Sequence, residues 1–183
     1  KYKPESVILD LRGNPGGLLH EAVNISNVFI DKNQEICTTK GKVEEWLKSF
    51  KTNSNAEDTE IPLCVLVNGG SASASEIVSG SIQDLDRGVV VGTRTYGKGL
   101  VQSTRNLPYN TKLKVTTAKY YIPSGRCIQA INYAEKNADG SVKKVPDSLK
   151  VAFKTKNGRV VYDGGGIDPD AKVERPQLSK LAI

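Results

Sequence analysis

Methionine is absent from the 183 residues, and histidine and tryptophan occur once each. The chain opens on Lys1 and carries no signal-like segment, so its compartment cannot be read from that end. No run approaches the ~20 apolar residues of a membrane span. Cysteine is scarce: Cys37, Cys64 and Cys127 stand far apart, without metal-ligand spacing. Cys64 lies inside an apolar run and reads as a small buried hydrophobe. Asp10, Asp84, Asp86, Asp168 and Asp170 make no metal-binding spacing either, so neither metal nor cofactor is expected. Aromatics are 6% of the chain and form no stacking motif. The net charge of +6 reads as spread along the chain. Its lysine-richer stretches, Lys40–Lys51 and Lys143–Lys156, are interrupted by Glu44, Glu45 and Asp147. Nucleic-acid binding is therefore not expected. What is present suits one globular domain with a real core: 38% hydrophobic and 25% charged residues over this length.

The chain is organised around Leu66-Val67-Asn68-Gly69-Gly70-Ser71-Ala72-Ser73-Ala74-Ser75-Glu76-Ile77. A β-branched run from Ile61 to Val67 predicts a buried strand. Asn68-Gly69-Gly70 breaks it, and Ile77, Val78, Ile82 and Leu85 then recur at helical spacing. A serine at such a strand-to-helix turn lies among unpaired N–H groups. Those groups suit a nucleophile whose product is an oxyanion. The same residues also fit a capping box, with Ser73 as N-cap and Glu76 at N3.

A second unit of the same kind precedes it. Ser6–Leu11 predicts a strand, Arg12-Gly13-Asn14-Pro15-Gly16-Gly17 a turn, and Leu18, Ala22, Ile25, Val28 and Phe29 a helix. Gly16 and Gly17 either leave N–H groups bare for a ligand or simply make a tight turn. Strands are further predicted over Gln34–Thr39, Gly88–Gly92, Leu113–Ile122 and Gly158–Tyr162, and Lys51–Asp58 reads as a surface loop. Arg126–Gln129 is expected to return beside Leu113–Ile122 across the Pro123-Ser124-Gly125 turn. Lys98 sits between Gly97 and Gly99, which leave space around its side chain. If this segment is extended, Lys98 and Gln102 share a face.

Four blocks make the chain resemble the catalytic domain of C-terminal processing peptidases, also called tail-specific proteases. They are Leu9–Gly17, Gly70–Ile77, Thr95–Gln102 and Gly165–Asp170, in that order, with 25 residues from Ser73 to Lys98. The resemblance implies an α/β fold, with a ClpP/crotonase-like core of short strands and packed helices. It implies a serine endopeptidase with a Ser–Lys dyad, cleaving near protein C-termini or degrading unfolded proteins. Ser73 would be the nucleophile and Lys98 the general base. Gln102 would orient the amine, as Asp orients His in other triads. The N–H of Ala74, with that of Gly16 or Gly17, would form the oxyanion hole. The amine accepts a proton only when neutral, and burial favours that form. The flanking glycines would let substrate close over it.

By the same resemblance, residues 1–183 are a catalytic domain incomplete at its N-terminus, normally preceded by a PDZ domain. Its partners would be proteins or peptides with exposed C-termini, and a homo-oligomer stays open. The bacterial periplasm or cell envelope is the implied location. His20, the single histidine, competes as the base if the two glycine turns face each other. A crotonase-type acyl-CoA enzyme and an inactive peptide-binding module also remain as readings. Asp168-Pro169-Asp170 is expected to be a structural turn, and Trp46 to cap a core edge.

Overall fold

In the computed structural model, which describes residues 3–174, the fold is mixed α/β. In chain order the elements are β1 (Val7–Asp10), α1 (Leu19–Phe29), β2 (Glu35–Gly41), β3 (Lys48–Lys51), β4 (Leu63–Val67), α2 (Ala74–Asp84), β5 (Val89–Gly92), β6 (Leu100–Asn106), β7 (Lys112–Tyr121), β8 (Ile131–Lys136), β9 (Val142–Lys144), β10 (Ala152–Lys154), β11 (Val160–Tyr162) and β12 (Ala171–Lys172). One four-stranded sheet runs β1-β4-β5-β12, all parallel. A second runs β3-β2-β7-β6, all antiparallel. Two ribbons, β8-β9 and β10-β11, complete the pairing. Among the described residues no helix is long and apolar enough to cross a membrane.

The parallel sheet obeys the alternation of a strand. Leu63, Val65 and Val67 of β4 and Val90 of β5 are buried in one core with Ala22 and Val23 of α1 and Ile77, Val78 and Ile82 of α2. The opposite face, carrying Ile8 and Val89, is open. The α2 spacing predicts one apolar face, yet every residue from Ala74 to Asp84 is buried. Its polar members find partners inside. Ser79 Oγ donates to the Ser75 carbonyl at 2.9 Å, and Ser81 Oγ to that of Ile36 at 2.9 Å. Gln83 Nε2 donates to the Asp168 carbonyl at 2.9 Å. Asp84 is paired with the equally buried Arg126 at 2.8 Å.

Two sequence expectations give way. Arg126–Gln129 does not return as a strand beside β7; only a single bridge joins Tyr121 to Cys127. The neighbours of β7 are β2 and β6. The polar stretch after Gly41 contains β3, whose last residue Lys51 begins the expected loop. The Asp168–Asp170 turn is structural, as expected. Asp168 binds Arg94 Nε at 2.7 Å, while Asp170 accepts from Val90 N at 2.8 Å and from Gln83 Nε2 at 2.9 Å.

Candidate active site

Both strand–glycine–helix units form, and they dock turn against turn at the C-terminal ends of β1 and β4. Asn68 Oδ1 accepts the N–H of Gly13 and that of Gly70, each at 2.9 Å. Ser71 Oγ donates to the Leu11 carbonyl at 2.7 Å, and Ala72 N donates to the Asn14 carbonyl at 3.0 Å. A Cβ at Gly70 would lie 2.9 Å from Gly13 Cα, so only glycine permits this approach. Ser71 and Ser75 are buried, whereas Ser73 is half-buried.

Ser73 has φ 57° and ψ −117°. Glycine adopts that conformation readily; a serine there is strained and held by its surroundings. The strain lifts Ser73 onto the corner where α2 begins. Ala74 supplies the first of that helix's orphan N–H groups. Gly16, with φ +87°, lies directly across. A Cβ on it would come 2.6 Å from Ala74 N and 3.1 Å from Ser73 Cβ. A side chain at Gly16 would therefore cover the donor. The N–H of Gly16 itself donates to Asn14 Oδ1 at 2.9 Å, while among the described residues that of Gly17 has no partner.

Glu76 ties this corner to the lysine loop. Oε2 accepts from Ser73 N at 2.9 Å and from Lys98 N at 2.8 Å. Oε1 accepts from Thr95 Oγ1 at 2.5 Å and from Gly97 N at 2.7 Å. Thr95 Oγ1 in turn accepts from Ile167 N at 2.7 Å, bringing in the Gly165–Asp170 block. The carboxyl is wholly buried. Burial pushes its pKa above the ordinary value, against the pull of the four donors. From the sequence, Glu76 reads only as a capping residue. Its second role needed knowledge of which loop lies over the N-terminus of α2.

The lysine loop departs from expectation in three ways. Gly97 and Gly99 are buried and leave no space for substrate. A Cβ at Gly97 would meet Ala130 Cβ at 2.3 Å, and one at Gly99 would meet Gln129 N at 2.7 Å. The glycines let the segment at Gln129–Ala130 pack closely, and buried Gln129 accepts the Gly99 N–H at 2.7 Å. Gln129 is a second residue that sequence reasoning missed. The segment is also not extended: Gly97 has φ +86°, β6 starts only at Leu100, and a bulge falls between Val101 and Gln102. Lys98 and Gln102 nevertheless line one small cavity of about 40 Å³ with Tyr96, Ile131 and Tyr133. Finally, Lys98 and Gln102 are exposed. Among the described residues the burial expected of the amine is not supplied, and no hydrogen bond joins Lys98 to Ser73 or Gln102. His20 is exposed near the start of α1, with Nε2 3.2 Å from Glu21 Oε1. Among the described residues there is no group of three or more His, Cys, Asp or Glu that could hold a metal ion.

The family model described as peptidase family S41 matches residues 1–137. The chain belongs to that family. Among its S41 relatives is a carboxy-terminal-processing protease of Bartonella bacilliformis, 46% identical over 129 residues, or 70% of this chain and 30% of that one. A protein of Staphylococcus saprophyticus named as a CtpA-like serine protease is 35% identical over 178 residues, 97% of this chain and 29% of that one. Among solved structures, the photosystem II D1 C-terminal processing protease aligns with a TM-score of 0.68 at 27% identity. That alignment covers 93% of this chain and 35% of the protease. This S41 chain thus spans under a third of the length of the curated relatives it matches here.

Proposed function

We propose that this chain carries the reaction centre of a serine endopeptidase with a Ser73–Lys98 dyad, acting on unfolded or C-terminally exposed polypeptides. The observation that carries the reading is the shared oxygen of Glu76, which holds the N–H of Ser73 and that of Lys98 at 2.9 and 2.8 Å. A fold that only needed a helix cap would not route the lysine loop to the same carboxylate. Lys98 Nζ, neutral, takes the proton of Ser73 Oγ as the oxygen attacks the scissile carbonyl. The oxyanion receives the N–H of Ala74 and that of Gly17. Gly17 is the second donor because Gly16 spends its N–H on Asn14. Lys98 returns the proton to the leaving amine, then activates the water that hydrolyses the acyl-enzyme. Gln102 steadies the amine from the cavity they share. An exposed lysine is a poor base in water, so substrate laid over the cavity supplies the desolvation.

The ClpP/crotonase-like description fits helices packed on a sheet of short parallel strands. An upstream PDZ domain and a place in the bacterial cell envelope follow from the same resemblance. The test is intact mass of the full-length protein mixed briefly with an activated peptide ester. An acyl adduct on Ser73, absent in Ser73→Ala, is expected. Turnover with no adduct on Ser73 would overturn the assignment.

A further inference from the structure

The +6 charge of this chain is not spread evenly along it. Between Asp86 and Glu135 there is no carboxylate, and eight of the 26 Lys and Arg residues fall there. The remaining 18 face all 20 carboxylates. Three of the eight are tied to the body. Arg94 pairs with Asp168, Arg126 pairs with Asp84, and Arg87 binds the Phe29 carbonyl. The other five, Lys98, Arg105, Lys112, Lys114 and Lys119, are exposed, and no carboxylate among the described residues pairs with them. All five lie on the lysine loop and on the β6–β7 ribbon that continues from it.

Register sorts the ribbon's side chains. Gln102 is opposite Thr116, Thr104 opposite Lys114, and Asn106 opposite Lys112. Facing pairs share a side of the sheet, so this side is polar throughout and begins at Gln102. Lys114 lies about 7 Å from Gln102 along the strand and Lys112 about 13 Å, at roughly 3.3 Å per residue. Arg105, Leu113, Ser103 and Val115 occupy the opposite side. The ribbon's lysine pair and its exposed Leu113 and Val115 are therefore separated.

We propose that the Gln102–Lys114–Lys112 side of this ribbon is a docking track for acidic, unstructured segments of substrate. This rests on the peptidase reading above. An extended peptide leaving the site along β6 repeats its side-chain spacing, so alternate carboxylates meet Lys114 and then Lys112. Five cations that no carboxylate among the described residues neutralises raise the local concentration of an acidic chain and speed its capture. An anionic lipid surface fits less well, because the track side, Gln102, Thr104 and Asn106 opposite Thr116, Lys114 and Lys112, carries no apolar residue to insert beside its lysines.

The test uses the full-length protein and peptides sharing one cleaved core. Their flanks carry Glu, Gln or Lys at alternate positions. The Glu peptide is expected to have the highest kcat/KM, and its advantage should shrink as salt is raised. Lys112→Gln with Lys114→Gln should cut that advantage roughly 2- to 30-fold, the usual worth of two exposed charge pairs. Cleavage of the Gln peptide should be unchanged. Peptide binding to Ser73→Ala, read by fluorescence anisotropy, judges the track without any chemistry. Preference for Glu there with no cleavage by the wild type would sink the peptidase reading and leave the track standing. Equal binding of Glu and Gln peptides would overturn the track, as would an equal loss on both in the double variant. So would binding to phosphatidylglycerol vesicles that the double variant abolishes while the peptide preference stays.

Discussion

Replacing Glu76 by Gln changes one buried atom and tests whether the carboxylate positions the dyad or merely caps α2. The amide can place only one acceptor. With its NH2 at the Oε2 position it would face two donors, Ser73 N and Lys98 N. With its NH2 at the Oε1 position it faces the hydroxyl of Thr95, which can turn to accept, and one donor, Gly97 N. The second placement wins; it orphans the buried Gly97 N–H, at a cost of about 1–3 kcal/mol, and turns the Thr95 hydroxyl proton away from its acceptor. The remaining bonds drop from charge-assisted to neutral, offset in part because a buried charge is gone. Net destabilisation of about 1–3 kcal/mol is expected from chemical denaturation. The oxygen shared by Ser73 N and Lys98 N stays but is now neutral, while the lysine loop loses its anchor at Gly97 N, next to Lys98, and misplacement by an ångström can cost ~10²-fold. So kcat should fall by about 10- to 100-fold, with KM little changed. Glu76→Asp keeps the charge but is a methylene shorter and cannot span both turns, so its kcat should fall too. The pH dependence adds a check. The folded carboxyl sits above its ordinary value of 4.5 because it is buried, so the native state binds that proton more readily than the unfolded chain. The stability Glu76 contributes is thus fully present below 4.5 and is lost as pH rises through the raised value. Wild type should gain on Glu76→Gln as pH falls from neutrality toward 4.5. A folded Glu76→Gln enzyme with wild-type kcat, or a stability difference flat in pH, would refute this reasoning.

Gly16→Ala puts a methyl 2.6 Å from the Ala74 N–H at φ +87°; losing an oxyanion donor should lower kcat by about 10²–10³-fold, seen in steady-state kinetics. Asp84→Ala leaves the buried Arg126 guanidinium without its carboxylate, so urea unfolding should show a loss of about 3–5 kcal/mol. Iodoacetamide should leave peptidase activity unchanged: burial pushes the Cys37 thiol up to about 12 and raises that of Cys127, and the thiolate is the reacting form. Complete inactivation would show that a cysteine serves the site.

The two strand–glycine–helix units were legible because local rules suffice for them. Apolar runs, glycine breaks and helical spacing all act within twenty residues. The place of Ser73 at the corner where α2 begins was legible for the same reason. What could not be read depends on contacts distant in sequence. Gly97 and Gly99 look like room for substrate until Gln129 and Ala130 are seen packed on them. The all-round burial of α2 could not be foreseen from its polar residues, whose partners include Ile36, Arg126 and Asp168. Strand β7 alternates well, yet its partner β6 lies before it in the chain, across a turn with positive φ at Tyr109 and Asn110. One signal was in plain view: Arg87 opens a stretch of cations without carboxylates that runs to Ala134, and counting charge in windows would have found it.

The central claim is that Lys98 acts as the base toward Ser73, and Lys98→Arg tests it most directly. Guanidinium keeps the positive charge and the length but stays protonated in proteins. Cleavage of a disordered protein by the full-length variants, with folding checked by circular dichroism, should show Lys98→Arg as dead as Lys98→Ala. His20→Ala should remain active. A folded, active Lys98→Arg enzyme beside a dead His20→Ala enzyme would contradict the Ser–Lys mechanism and hand the proton to the histidine.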